Sequence, residues 1–381
     1  MIGIKSNKII LDGQLFDGYI YLNGDKIIEV SPQEKECDII YDYTGKFVSP
    51  GFIDTHTHGG GGYPFASDNP DDIINGADYH LKFGTTTIAP TVSASAFEQM
   101  SKSLDAISKA KRSGKSKTNI LGAHLEGPYL SKKQCGAQCP DFITPPLKSE
   151  YESVVNKYGC DIARWTYAPE NDANGEFCAY LTSKGIVASI GHSDAKYDEV
   201  AVGIENGANL VTHLYSCTST VTRDHGFRSL GVIESAFLRD ELFVELIADG
   251  KHLPPDLIKM IIKIKGTDKV CLTTDSLEVA GTTVKSGTMC GTDFIVEDGV
   301  AKLPDRSAFA GSVATANTLI KTLVFECGYS VEQSVKLLTK GPAQIMKLNK
   351  GIIAKGLDAD LVVFDDNIEI DSVFVMGNKV I

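Results

Sequence analysis

Two histidines one residue apart, His56 and His58, close an otherwise apolar run that reads Phe52-Ile53-Asp54-Thr55-His56-Thr57-His58. Alternate residues of an extended strand share a face, so the two imidazoles stand roughly 7 Å apart along the backbone and can converge on one ion. Gly59 to Gly62 follow at once and leave that end open. A second run ends His124-Leu125-Glu126-Gly127-Pro128, with His124 and Glu126 on one face. A carboxylate in an apolar strand needs a cation or donors to offset its desolvation, and a metal ion is the strongest such partner. The competing reading of Glu126 is an ion-paired core acid. His192 follows Gly191 and His213 lies in Thr212-His213-Leu214-Tyr215, each again at the end of an apolar run. A lone histidine of this kind is more often a hydrogen-bonded core residue than a ligand. Several at consecutive strand ends, joined by Glu126, reverse that balance and point to a metal centre. Asp275, in Leu272-Thr273-Thr274-Asp275-Ser276, then serves as general base or added ligand, the alternative being a helix cap. Asp249 and His252 fall just past another strand, which places His252 at the mouth as a substrate contact. Nitrogen and oxygen donors alone suit Zn²⁺, Fe²⁺, Mn²⁺ or Co²⁺.

Such strand ends need a frame that gathers them. Eight apolar segments, 51–58, 85–90, 120–127, 164–169, 186–192, 210–215, 243–249 and 270–275, alternate with amphipathic stretches. Ile73, Ile74, Ala77 and Leu81 make one helix face before Gly84; Phe97, Met100, Leu104 and Ile107 a second before Gly114; Leu257, Ile258, Ile261 and Ile262 a third before Gly266. Eight repeats of strand and helix match an α/β fold, the (β/α)8 TIM-like barrel, which carries its chemistry at the carboxyl ends of the strands. A doubly wound sheet is the alternative. Both termini read as short strands: 8–11, 19–22 and 27–30 around the turn pair Asn23-Gly24, then 360–364 and 372–375. Neither set is stable alone, so the termini are expected to meet in one small β-sandwich. The expected division is 1–50 with 346–381 for that sandwich and 51–345 for the barrel.

The chain of 381 residues has 43% apolar and 23% charged residues and a net charge of −12. That balance argues against nucleic acid or an anionic membrane as partner, and an anionic substrate must be caught by a local site. No apolar run is long enough to span a bilayer and the first residues lack a signal-peptide layout, so a cytoplasmic location is expected. The nine scattered cysteines read as reduced thiols. Phosphate-loop, nucleophile-elbow and dinucleotide motifs do not occur. Cys217 beside His213 reads as a small filler rather than a nucleophile.

With His-x-His after the first strand, His after the fifth and sixth and Asp after the eighth, the sequence resembles the amidohydrolase superfamily over essentially the whole chain. Strand four, Arg164-Trp165-Thr166-Tyr167, lacks the lysine that many members carbamylate. His124-Leu125-Glu126-Gly127-Pro128 instead resembles the N-acetylglucosamine-6-phosphate deacetylase family. Pro50-Gly51-Phe52-Ile53-Asp54, Gly191-His192-Ser193, Thr212-His213-Leu214-Tyr215, Ala248-Asp249-Gly250-x-His252, Thr274-Asp275 and Ala310-Gly311-Ser312 match it in order. The resemblance implies Glu126, His192 and His213 as metal ligands, and His56 and His58 as extra ligands of two-metal members, hence two divalent ions per chain. It implies Asp275 as catalytic acid and base, with His252 and Phe309-Ala310-Gly311 against the substrate. It also implies a homodimer or homotetramer acting on a small N-acetylated sugar phosphate. Three departures concern substrate contacts. Gly136-Ala137-Gln138 stands where a histidine is usual, Tyr215-Ser216-Cys217-Thr218 replaces Tyr-Asn-Ala-Met, and Arg223 only approximates a phosphate-binding arginine given across a dimer interface. Ala137, Gln138, Ser216, Cys217 and Arg223 are therefore expected near the sugar and its phosphate.

Overall fold

The computed structural model describes residues 1–289 and 291–381, with Asp224 by its backbone alone. Eight parallel strands form the centre: β1 (Phe52–Thr57), β2 (Thr85–Ser93), β3 (Ala123–Glu126), β4 (Ile162–Tyr167), β5 (Val187–Ile190), β6 (Leu210–Val211), β7 (Phe243–Leu246) and β8 (Val270–Leu272). They pair in chain order from β1 to β8. Backbone bonds from Asp275 N to His56 O (2.9 Å) and from His58 N to Ser276 O (2.8 Å) tie the chain beyond β8 back to β1 and close the ring. The expected barrel is thus present. Its strands are buried on both faces, as strands wrapped by helices must be. The three expected helices occur at Pro70–Tyr79, Phe97–Ser113 and Pro255–Lys265. Phe97 departs from its predicted inward face and is exposed, because it opens its helix and lies beyond the packed stripe.

Several ladders are shorter than the apolar runs suggest. The third run is broken at Gly122, whose φ is +130° and where a Cβ would sit 2.5 Å from the Asp161 carbonyl oxygen, so only glycine fits. Asn119–Ile120 before the break and β3 after it both pair with β2. The sixth and eighth ladders stop at Val211 and Leu272, so His213 and Asp275 lie beyond their strands rather than on them.

Strands from both ends of the chain join in one eight-stranded sheet, in which Leu361–Phe364 pairs antiparallel with Phe47–Pro50. Ile20 and Ile27 near one edge share a core with Leu361, Val363 and Phe374 near the other, so the sheet folds over itself as a sandwich. A four-stranded antiparallel sheet after β8 was not anticipated from sequence: Ser286–Met289, Thr292–Glu297, Val300–Lys302 and Phe309–Gly311. It packs through Leu277, Phe294, Ala301 and Ala310 and delivers Phe309–Gly311 to the barrel mouth. The eight described cysteines are free; Cys290 lies outside the described residues.

Candidate metal centre and active site

At the carboxyl end of the barrel Nε2 of His56 lies 3.3 Å from Nε2 of His58. Asp275 Oδ1 stands 3.2 Å from each of these nitrogens. Glu126 faces His56 through Oε1 at 3.4 Å and His58 through Oε2 at 3.3 Å. Four donors held about 2.0–2.1 Å from a tetrahedral ion are about 3.3–3.4 Å from one another, so these spacings fit a metal of zinc's size. Glu126 Oε1 also lies 3.0 Å from Nε2 of both His192 and His213. Three donor groups result: His56, His58 and Glu126; Glu126, His192 and His213; and His56, His213 and Asp275. Glu126 belongs to two of them, with Oε1 near His56, His192 and His213 and Oε2 near His58. All six side chains are buried.

The backbone is bent to achieve this. His192, His213 and Asp275 have φ of +47°, +26° and +47°, the left-handed region that costs a non-glycine residue of order 1–3 kcal/mol. Leaving the extended conformation at the strand end swings each side chain over the barrel axis, so the site stores strain that the surrounding fold holds in place.

The far ring nitrogens fix the tautomers. His58 Nδ1 meets Ser93 Oγ at 3.1 Å, His192 Nδ1 meets the Gln134 carbonyl at 2.9 Å and His56 Nδ1 meets Glu245 Oε1 at 3.4 Å. A carbonyl or carboxylate partner requires Nδ1 to donate, so Nε2 of His192 and of His56 is the nitrogen turned to the cluster, where it holds a proton or, in its place, a metal ion. Glu245 is held in turn by Arg164, and both are fully buried. Sequence reasoning missed this pair, although opposite charges inside the fourth and seventh apolar runs were the signal for it. His124 is not part of the cluster. Its nitrogens bond Thr166 Oγ1 (2.7 Å) and Thr91 Oγ1 (3.1 Å), making it the hydrogen-bonded core histidine.

Electrostatics agree with a cation site. Burial alone would push His56 down, but Glu126, Asp275 and Glu245 outweigh it and hold the imidazole up at about 10. Burial opposes ionisation of Glu126 and Asp275 too, yet the neighbouring histidines bring both carboxyls below their usual range.

Above the cluster opens a cavity of about 270 Å³. Of the expected substrate contacts, Ala137, Gln138, Ser216, Cys217, His252, Phe309, Ala310 and Gly311 line it. Asp249 accepts from the backbone N–H of Lys251 and His252 and meets His252 Nδ1 at 2.8 Å, and Phe309 packs edge-on against that ring at 4.9 Å. Arg223 is not brought there. It lies in an exposed hairpin, Thr222–Asp224 with Phe227–Ser229, directly opposite Arg228, and among the described residues no lysine or arginine lines the cavity.

A barrel with buried histidines and carboxylates at its carboxyl end, beside a sheet built from both termini, defines a metal-dependent hydrolase class. The amidohydrolase family model matches residues 47–380, and the chain belongs to that family. Among its relatives are enzymes named N-acetylglucosamine-6-phosphate deacetylase. That of Lysinibacillus sphaericus is 30% identical over 85% of this chain and 83% of its own, and that of Bacillus subtilis 30% identical over 98% and 96%. The crystal structure of the N-acetyl-D-glucosamine-6-phosphate deacetylase of Mycobacterium smegmatis is 28% identical, with a TM-score of 0.92 over 100% of both chains. A mutant of that protein has been solved in complex with N-acetyl-D-glucosamine-6-phosphate.

Proposed function

We propose that this chain is a divalent-metal-dependent hydrolase that removes the acetyl group of N-acetylglucosamine 6-phosphate, giving glucosamine 6-phosphate and acetate. The convergence of His56, His58, Glu126, His192 and His213 with Asp275 at the base of one cavity carries the reading. The likeness to the named deacetylases over the whole chain supports the substrate. Two ions per chain, Zn²⁺, Fe²⁺, Mn²⁺ or Co²⁺, would be held by His56 with His58 on one side and His192 with His213 on the other, Glu126 serving both. A bound divalent ion supplies polarisation of an amide carbonyl and a water whose pKa falls from about 15.7 toward about 7. Asp275 then takes a proton from the attacking water as the new C–O bond forms. It returns that proton to the amide nitrogen as the C–N bond breaks, so one carboxylate serves both halves of the reaction. His252, oriented by Asp249, and Phe309 hold the sugar against the far wall, with Ala137, Ser216, Cys217, Ala310 and Gly311 completing it.

The absence of lysine and arginine from the cavity lining among the described residues favours a second reading, deacetylation of another N-acetylhexosamine or of an unphosphorylated sugar. Under the first reading Arg223 reaches the phosphate from the hairpin of a second copy in a homodimer or homotetramer. Residues 51–345 form the catalytic unit and 1–50 with 346–381 the sheet unit, in a cytoplasmic protein. No helix among the described residues is long and apolar enough to cross a membrane. Acetate release from a panel of N-acetylated hexosamines with and without a 6-phosphate tests the assignment. Fastest turnover of N-acetylglucosamine 6-phosphate is expected, and preference for another sugar overturns it.

A further inference from the structure

Gln138 occupies the position where the resemblance led us to expect a substrate contact, yet its amide is turned inward. It is buried, at 5% exposure. Its Oε1 accepts the backbone N–H of Ala94 at 3.0 Å, and its Nε2 donates to Glu126 Oε2 at 2.8 Å. The two contacts fix the amide's orientation, because an N–H at Ala94 demands the oxygen and a carboxylate demands the nitrogen. Glu126 Oε2 is the oxygen that faces His58, whereas Oε1 faces His192, His213 and His56. Gln138 is the neutral donor to that carboxylate, beside the four histidines that face it.

We infer that Gln138 is a positioning residue which clamps Glu126 and thereby sets the strength of the metal subsite on the His56–His58 side. The inference rests on the two-ion reading above. The mechanism is orientational. With the clamp in place Oε2 keeps its remaining lone pair toward His58; without it the carboxylate turns about Oε1, which the His56, His192 and His213 contacts hold. Loss of a hydrogen-bond partner behind a metal ligand typically costs about 10–100-fold in metal affinity. Here that loss falls on one subsite. A residue that merely supported the fold would weaken both, and a residue that merely touched sugar would weaken neither.

The test is chelator competition on the full chain loaded with Zn²⁺ or Co²⁺, for the unaltered protein, Gln138→Met and Gln138→Asn. Met keeps the length and removes both polar atoms. Asn keeps the polarity but is one methylene too short to span Ala94 and Glu126, so it serves if the Met variant fails to fold. The expected result is one metal affinity lowered about 10–100-fold, the other unchanged, and KM at saturating metal within about threefold of the unaltered enzyme. Two unchanged affinities with a raised KM make Gln138 a substrate contact and overturn the inference, as do two affinities that fall together. Should the unaltered protein take up a single ion, the two-ion reading falls by itself. The inference is then decided by whether that one affinity drops or holds in the variants.

Discussion

Arg164 and Glu245 form an ion pair at the heart of the barrel, each with no solvent exposure, and Glu245 Oε1 stands 3.4 Å from His56 Nδ1. Arg164 donates to Glu245 through both terminal nitrogens, and Nη2 also donates to Thr212 Oγ1 at 2.8 Å. The pair therefore connects the fourth and seventh strands, and the residue just past the sixth, to a candidate ligand on the first.

Arg164→Met leaves the Glu245 carboxylate buried without its cation, a situation that costs about 3–5 kcal/mol. Urea unfolding of the metal-free protein reads that loss. Replacing both, Arg164→Met with Glu245→Leu, removes the stranded charge and should recover most of the stability. It also removes the acceptor behind His56, so metal affinity should still fall by about 10–100-fold. A double variant that binds metal normally would show that Glu245 has no part in orienting His56.

Asp275→Asn preserves shape and removes the carboxylate proposed as the base. Turnover should drop by at least about 10²-fold while a non-hydrolysable substrate analogue still binds. Steady-state kinetics with calorimetry of analogue binding checks both halves. Near-normal turnover moves the base elsewhere, with His252 the next group to vary.

How far the strand ends could be read depended on contrast. His56, His58, Glu126, His192, His213 and Asp275 stand out because each interrupts or ends an apolar run, and a barrel makes such ends neighbours whatever their distance in sequence. The left-handed bends at His192, His213 and Asp275 leave no such trace, since nothing local favours positive φ there and the surrounding fold imposes it. The sheet at residues 286–311 was illegible for a different reason. Ser286-Gly287-Thr288-Met289 is glycine-bearing, with Ser286 and Thr288 exposed and a single buried apolar residue, Met289, and it pairs antiparallel with Thr292–Glu297. Gln138 shows the remaining limit: its position was legible, but which way its amide faces depends on Ala94 and Glu126, 44 and 12 residues away.

Removing the metal should abolish turnover and lower stability together, because an ion that binds only the folded site stabilises it by mass action. At a free metal concentration 100 times Kd the gain is about 2.7 kcal/mol for one site. Thermal melting after chelation and after readdition of Zn²⁺, Mn²⁺ or Co²⁺ measures it, and acetate release should return in parallel. Activity that survives exhaustive chelation sinks the metal-dependent mechanism.

Selectivity for phosphate turns on the exposed hairpin. Arg223 lies directly across from Arg228, and like charges at opposed positions of a strand pair are unfavourable unless an anion or acid lies between them. Phe227, the first residue of the returning strand, is 81% exposed, and Arg223 and Arg228 are exposed with it. If the arm of one copy reaches a second copy's cavity, Arg223→Ala loses a charge-assisted contact of about 1.5–3 kcal/mol, or about 10- to 150-fold in kcat/KM, for the 6-phosphorylated sugar. The unphosphorylated sugar never had that contact and should change little. Dilution that separates the copies should mimic the substitution, with the same bias against the phosphorylated sugar. Equal losses on the two sugars, or an unaltered enzyme that prefers the unphosphorylated one, would remove the phosphate from the assignment. The departures at Gln138 and at Ser216-Cys217 would then mark a pocket built for a neutral N-acetylated sugar.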